Sequence, residues 1–434
     1  MSAMQPSYQN SPRTLPARPV LATFSALPAP GQSRSPSLHP SQPHIPATAR
    51  VLLAMLERIT WGRLTIVGPG GFHAQYGKDG VEARIDFADW DSCSEILIGG
   101  DNAFAEGYME RRWTTPDLVA LLTVAAHNQR ALEQGFYGTL WRQVGARIVH
   151  ALRSNTRSGA RKNIQAHYDL GNDFYRLWLD TTMTYSSALF SARGEPETLE
   201  DAQRKKYRRV LRELALKPGD RLLELGMGWG GLAAEALRTQ SLCYTGLSLS
   251  PAQTEYARAR LRHDGVDGSA ELALRDYRDE RGTYDAVASI EMFEAVGERY
   301  WPAYFSTLAR VLRPGGRAVI QAISIDESRF ERYRTTSDFI QQYIFPGGML
   351  ATKTRIADEA QRAGLRLDAR HDFGADYSKT LCLWLGRFDA AEPAVRALGF
   401  DDRFIRMWRF YLAYCAAGFN AGTTDVAQYT FVRE

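Results

Sequence analysis

The chain has 434 residues, 44% apolar and 24% charged, the balance of a globular protein with room for about two or three domains. It holds no run of about 18 apolar residues, which excludes a membrane-spanning helix. Cys93, Cys243, Cys382 and Cys415 stand far apart, which speaks against a disulfide framework or zinc site and suits a reducing cytosol. A net charge of +4 and a pI near 8.8 leave an anionic partner open.

Residues 1–47 contain about ten prolines, many Ser and Ala, Arg13, Arg18 and Arg34, and no acid. Such a stretch buries too little apolar surface to offset its ordering entropy, so a disordered tail is expected; the prolines argue against the amphipathic helix of a transit peptide. A small α+β domain follows at 48–147, with a helix at 51–56, strands at 64–67 and 81–87, and helical runs at 101–108 and 117–128. It has no paired carboxylates and no His cluster, and its apolar residues are read as its own core. Residues 148–163 carry Arg153, Arg157, Arg161 and Lys162 without an acid, and are read as a basic linker.

From residue 164 a larger α/β domain runs to 434. Its first helix, 199–214, holds Arg204, Lys205, Lys206, Arg208 and Arg209, either a solvated face or a contact for anionic lipid head groups. Strands are then expected at 221–225, 242–247, 270–275, 285–290 and 317–323, with helices near 231–239, 251–262 and 299–312; this alternation predicts a parallel sheet with right-handed crossovers. An aromatic insertion spans 325–350. A helix at 353–364 precedes two late strands, 366–372 and 379–388, read as an edge hairpin. The last helix, 401–418, places Phe404, Met407, Trp408, Tyr411 and Cys415 on one stripe, as core residues do.

The turn after the first strand of this domain is rich in glycine. Gly226, Gly228 and Gly231 satisfy the dinucleotide fingerprint, and Glu224 with Gly226, Gly228 and Gly230 satisfies the E-x-G-x-G-x-G pattern of S-adenosylmethionine methyltransferases. Either ligand would approach bare backbone N–H groups there. A dinucleotide site wants an acid about 20 residues on, closing the next strand. That strand ends Thr245-Gly246-Leu247-Ser248, without an acid, which favours the methyl donor.

Nine stretches in order then carry a resemblance: HYDLGNDFY (167–175), MTYSSALF (183–190), LELGMGWGGLA (223–233), GLSLSPAQ (246–253), DYRD (276–279), IEMFEAVG (290–297), QQYIFPGG (341–348), HDFGADY (371–377) and DVAQYTF (425–431). Over about 50–432 the chain resembles the cyclopropane fatty acid synthases, S-adenosylmethionine-dependent methyltransferases acting on unsaturated acyl chains of phospholipids. The resemblance implies a class I methyltransferase core, Rossmann-like with a seven-stranded sheet, and a smaller lipid-binding N-terminal domain. It implies a cytoplasmic enzyme sitting peripherally on the inner, anionic face of a membrane, with no nucleic acid partner and with a homodimer allowed.

An isolated alkene is a weak nucleophile, so its methyl donor must be a strong electrophile such as a sulfonium. The site must then orient the chain, exclude water and remove a proton from the new methyl group, which closes a three-membered ring. The resemblance assigns the base to a bicarbonate ion, held by Glu294, Tyr377, the backbone of Ser187 and Ile323, and the position of Gln321. Many relatives carry Cys at the Ser187 position and His at the Gln321 position; an amide donates a hydrogen bond but carries no proton charge. Around the cofactor it places Tyr185, Ser186, Glu224, Gly226, Gly228 and Gly230, with Ser248 and Gln253 at the ribose and Asp276, Tyr277 and Arg278 at the adenine. Phe190, Phe293, Tyr343 and Phe345 are candidates for an acyl channel or a π-face near a cation. Two other readings stand beside ring formation: a methylene- or methyl-branched product without ring closure, and a lipid-binding protein that keeps an inactive methyltransferase fold.

Overall fold

The computed structural model describes residues 44–133, 170–191 and 196–434. The tail up to residue 43, the linker 148–163 and His167 to Asp169 of the first motif lie outside them.

β5 (Arg221–Leu225) is apolar apart from Glu224 and buried on both faces from Leu222 onward, as a central parallel strand must be. It pairs in parallel with β6 (Cys243–Ser248) on one side and β8 (Tyr284–Ile290) on the other. β7 (Ala270–Leu274) extends the sheet beyond β6, and β9 (Leu312–Ile325) lies beside β8, both in parallel. β11 (Thr424–Arg433) runs antiparallel between β9 and β10 (Leu365–Asp372), which completes the order β10-β11-β9-β8-β5-β6-β7. Chain order reverses between β5 and β8, and open α/β sheets bind ligands outside the carboxyl ends of strands at such a point. The glycine turn follows β5, and Glu291 and Glu294 follow β8.

The seven-stranded sheet matches expectation, but one of its strands does not. Residues 379–388 are not a strand; they belong to the helix Gly374–Ala390, which buries Tyr377, Ser378, Thr380, Leu381, Trp384 and Phe388 at helical spacing. A short apolar run does not reveal its own period. The partner of β10 is instead β11, whose residues include the DVAQYTF motif.

In the N-terminal part, β1 (Arg63–Gly68), β2 (Phe72–Gly77), β3 (Glu82–Phe87) and β4 (Trp113–Thr114) form a sheet in the order β2-β1-β3-β4. The helix Asp91–Met109 takes in 95–98 as well as the expected 101–108, kinking at Gly100 with φ 58°. One apolar cluster joins this part to the rest, running from Ala49 to Val426. The helix Asp402–Asn420 supplies the joint: Phe410 packs on Phe104 and Phe339, and Trp408 on Phe174. Trp408 and Tyr411 are buried, as the stripe predicts. Each buried large side chain of this kind contributes about 1.5–3 kcal/mol.

Candidate active site

The glycine turn is shaped by its backbone. Gly226 and Met227 donate their N–H groups to the Leu247 carbonyl, at 3.0 and 2.9 Å, which ties the turn to the end of β6. Gly226, Gly228 and Gly230 have φ of 77°, 52° and 76°. A Cβ on Gly226 would stand 2.7 Å from Met292 Cγ, whereas one on Gly228 would meet nothing within 4 Å. Gly228 therefore faces open space, and bare backbone there is a cradle that a side chain would fill.

A cavity of about 1670 Å³ opens from this cradle, beyond the ~300–1,000 Å³ of an ordinary small-molecule pocket. Its polar walls include Tyr185, Ser186, Glu224, Gly226, Gly228, Ser248, Gln253, Asp276, Tyr277 and Arg278. Ten of the eleven expected cofactor residues thus line one cavity; Gly230 does not, being the buried N-cap of the helix Gly231–Thr239, packed against Ala257. Ser248 Oγ donates to Gln253 Oε1 at 3.2 Å, and Asp276 grips Arg278 through Nε at 2.8 Å and Nη2 at 2.6 Å. Glu224 accepts from the Tyr244 hydroxyl, and burial pushes its carboxyl up to about 7.

The apolar walls come largely from the N-terminal part: Leu52, Met55, Leu64, Ile66, Ile85, Ile96, Phe104, Leu121 and Leu122 all line the same cavity. The expectation that these residues form only a local core is corrected here, because their inner faces bound empty space. Of the four candidate aromatics, Phe345 lines the cavity. Phe293 is core against Trp301, Tyr304 and Phe305, the Tyr343 hydroxyl donates to Glu106, and Phe190 is buried under Lys379.

The same cavity is lined by two acidic side chains, Glu291 and Glu294. Glu291 directly follows β8, in the left-handed region at φ 48°. Its Oε1 accepts from the Ser187 backbone N–H at 2.9 Å and from Gln321 Nε2 at 2.7 Å, and its Oε2 accepts from the Tyr377 hydroxyl at 2.5 Å. Three residues later Glu294 Oε1 accepts from the Ile323 backbone N–H at 2.6 Å, while its Oε2 has no partner among the described residues. Both side chains line the cavity and are partly open to it. Burial, then the neighbouring Glu291 charge, push Glu294 up to about 8; burial raises Glu291 too, against the lowering effect of its donors and of Lys206.

Each expected catalytic residue is therefore in this cluster, but in a different arrangement. The donors that the resemblance assigns to a bicarbonate ion, namely Ser187 N–H, the residue at 321 and Tyr377, are taken by the carboxylate of Glu291, and Ile323 N–H is taken by Glu294. The residues present do not fit a separate anion in that place. Glu291 was missed in the sequence, although it lies in the IEMFEAVG block and meets the strand-end criterion used for Glu294.

Other elements hold the cluster in place. Phe190 N–H donates to Asp376 Oδ2 at 2.9 Å and Ala188 N–H to Thr380 Oγ1 at 3.2 Å, which pins the MTYSSALF segment to the helix that carries Tyr377. Tyr377 stacks on Phe419. Two cations of the basic cluster on the helix Leu199–Leu214 are turned inward, while Arg208 stays exposed: Lys206 is fully buried and donates to Ser186 Oγ at 2.6 Å, and Arg209 Nη1 donates to Gln428 Oε1 at 2.6 Å. Burial pulls the Lys206 ammonium down to about 8, opposed by the charges of Glu291, Asp180 and Glu224.

Residues 155–429 match the family model described as mycolic acid cyclopropane synthetase. A tuberculostearic acid methyltransferase of Mycobacterium tuberculosis is 40% identical over 78% of this chain and 79% of its own length. The cyclopropane-fatty-acyl-phospholipid synthase of Escherichia coli K12 is 34% identical over 81% of this chain and 88% of its own. Among solved structures, a mycolic acid cyclopropane synthase complexed with SAH and CTAB is 30% identical, with a TM-score of 0.59, over 63% of this chain and 98% of its own.

Proposed function

The chain belongs to the mycolic acid cyclopropane synthetase family, S-adenosylmethionine-dependent methyltransferases, and on that premise we propose that it methylates the double bond of an unsaturated acyl chain in a membrane phospholipid and closes a cyclopropane ring. The observation that carries this reading is one cavity lined by the glycine cradle, by the apolar residues of the N-terminal part and by the pair Glu291 and Glu294.

S-adenosylmethionine supplies a sulfonium methyl group, electrophilic enough for an unactivated alkene. Gly228 lets its methionine part lie against bare backbone, beside Tyr185 and Ser186. Ser248 and Gln253 would offer a hydroxyl and an amide to the ribose in place of the usual acid, and Asp276 to Arg278 would hold the adenine. The apolar part of the cavity would hold the chain and exclude water, so that the double bond meets the methyl donor without competing solvent. No helix among the described residues is long and apolar enough to cross a membrane.

A second reading has its own support: the 40% identical relative is named for methyl transfer, not for a ring. If a hydride shifts along the chain before the proton leaves, the same proton loss from the new methyl leaves an exocyclic methylene. Incubation with S-adenosylmethionine and vesicles of mixed anionic and zwitterionic unsaturated phospholipid tests both. Mass spectrometry should show acyl chains heavier by one CH2, resistant to oxidative cleavage if the ring has closed. A cleavable terminal methylene would replace the first reading by the second, and unchanged lipid would overturn both.

A further inference from the structure

The donors around Glu291 leave no room for a second anion. Ser187 gives Glu291 its N–H, its hydroxyl being turned to the Ala188 carbonyl. Gln321 could in principle turn either end of its amide toward Glu291, but its Oε1 accepts from Gln428 Nε2 at 3.0 Å, and Gln428 Oε1 in turn accepts from Arg209. The chain Arg209–Gln428–Gln321 therefore fixes the NH2 group on Glu291 Oε1, and both Gln321 and Gln428 are fully buried. Tyr377 completes the shell at Oε2.

The backbone supports the same conclusion. A non-glycine residue in the left-handed region costs about 1–2 kcal/mol, and such strain gathers at functional sites. Glu291 holds φ 48° at the end of β8, with its own N–H on the Gln321 carbonyl at 2.8 Å. A strained conformation is retained to put a carboxylate where donors converge.

We propose that Glu291 is the proton acceptor of the reaction, a carboxylate built into the chain where the family resemblance puts a diffusible bicarbonate ion. This rests on the methyl-transfer reading above. The alkene π pair forms a bond to the sulfonium methyl carbon while the C–S pair returns to sulfur, leaving the second alkene carbon cationic. Glu291 Oε2, which keeps a lone pair beyond its bond from Tyr377, takes a proton from the new methyl group. The freed C–H pair bonds to the cationic carbon and closes the ring. The charged or titratable groups facing Glu291 are Glu294 on the same loop, Lys206 from the helix Leu199–Leu214 and Tyr377 from the helix Gly374–Ala390. Glu294, pushed up to about 8, holds its proton at neutral pH and leaves the single negative charge to Glu291.

The test uses the full chain with 13C-bicarbonate as the probe. Glu291→Gly suits φ 48° without strain and opens the pocket; Glu291→Gln keeps the volume and removes the base. Wild type should show no bicarbonate binding by 13C NMR and no change in turnover when bicarbonate is stripped from the buffer. Both variants should lose about 100-fold or more in kcat, the lower range for a displaced general base, while calorimetry shows S-adenosylhomocysteine affinity unchanged. Glu291→Gly alone should bind 13C-bicarbonate and recover turnover with it. Bicarbonate bound equally by wild type and Glu291→Gly overturns the proposal, as does a wild type that slows when bicarbonate is removed. If no lipid is methylated by any protein, the NMR contrast still decides whether Glu291 occupies the anion pocket, and the loss falls on the reading of the reaction instead.

Discussion

Gln321 Nε2 stands 2.7 Å from Glu291 Oε1, and its carbonyl end is held by Gln428, so the amide has one orientation. Replacing Gln321 with Leu strands one donor of Gln428 and removes one of two donors from Glu291 Oε1. A buried polar group left without a partner costs about 1–3 kcal/mol, so the midpoint of urea unfolding should fall accordingly. Because Gln321 positions Glu291 and is not among the residues that line the cavity, kcat should fall about tenfold or more with KM for S-adenosylmethionine unchanged. A matching loss in cofactor affinity would mark the residue as structural only.

Two glycines of the turn should separate folding from binding. Gly228→Ala meets no neighbour, so its cost to stability is the left-handed backbone alone, about 1–2 kcal/mol. Its methyl group enters the cradle, and calorimetry should show S-adenosylhomocysteine affinity down about tenfold, a loss near 1.4 kcal/mol. Gly226→Ala drives a methyl into Met292 and should cost more in thermal stability than Gly228→Ala. Equal affinity for wild type and Gly228→Ala would remove the turn from the cofactor site.

Glu294 makes stability depend on pH. Its folded pKa, about 8, lies above the ordinary value of 4.5, so between those pH values the folded protein keeps a proton that the unfolded chain has lost. Stability therefore falls as pH rises through that window and is fully present below it. The groups facing it are Glu291, Tyr304 from the helix Trp301–Val311 and Tyr333 from the helix Glu327–Tyr333. Glu294→Gln keeps an acceptor for Ile323 and loses the titration. Its advantage over wild type should grow from pH 5 to pH 8 by more than about 1.4 kcal/mol, the worth of one pKa unit. Urea midpoints at three pH values would show it; a constant offset would contradict it.

Ile66 on β1 is buried yet lines the apolar part of the cavity. Ile66→Trp should take up space there, at a packing cost of about 1–3 kcal/mol. Turnover on long acyl chains should drop more than on short ones, with S-adenosylhomocysteine binding unaffected. Product analysis over a series of chain lengths checks this, and a uniform loss would take this part of the cavity out of substrate selection.

Much of the cofactor side was legible because it is written in local sequence: a strand, closely spaced glycines and a helix leave a pattern that distance in the fold does not alter. The acceptor proposed above was harder to read. Glu291 sits three residues before Glu294 in the same motif, and only the approach of Ser187, Gln321 and Tyr377 from three other elements distinguishes them. The strand expected at 379–388 failed because Cys382 and Leu383 are apolar yet face outward, which masks the helical period. The cavity wall in the N-terminal part was read as core for a similar reason: a leucine against a neighbour and a leucine against empty space have the same hydropathy.

β11 enters the sheet last and between two strands made before it, β9 and β10. Long-range strand insertion of this kind is slow, since loop closure precedes any gain from pairing. While a chain is being synthesised, the glycine turn and its parallel neighbours have all their partners before β11 exists, but Gln321 has no Gln428 to hold its amide. A half-made protein can therefore hold the glycine turn against β6 before the amide that orients Glu291 is itself fixed.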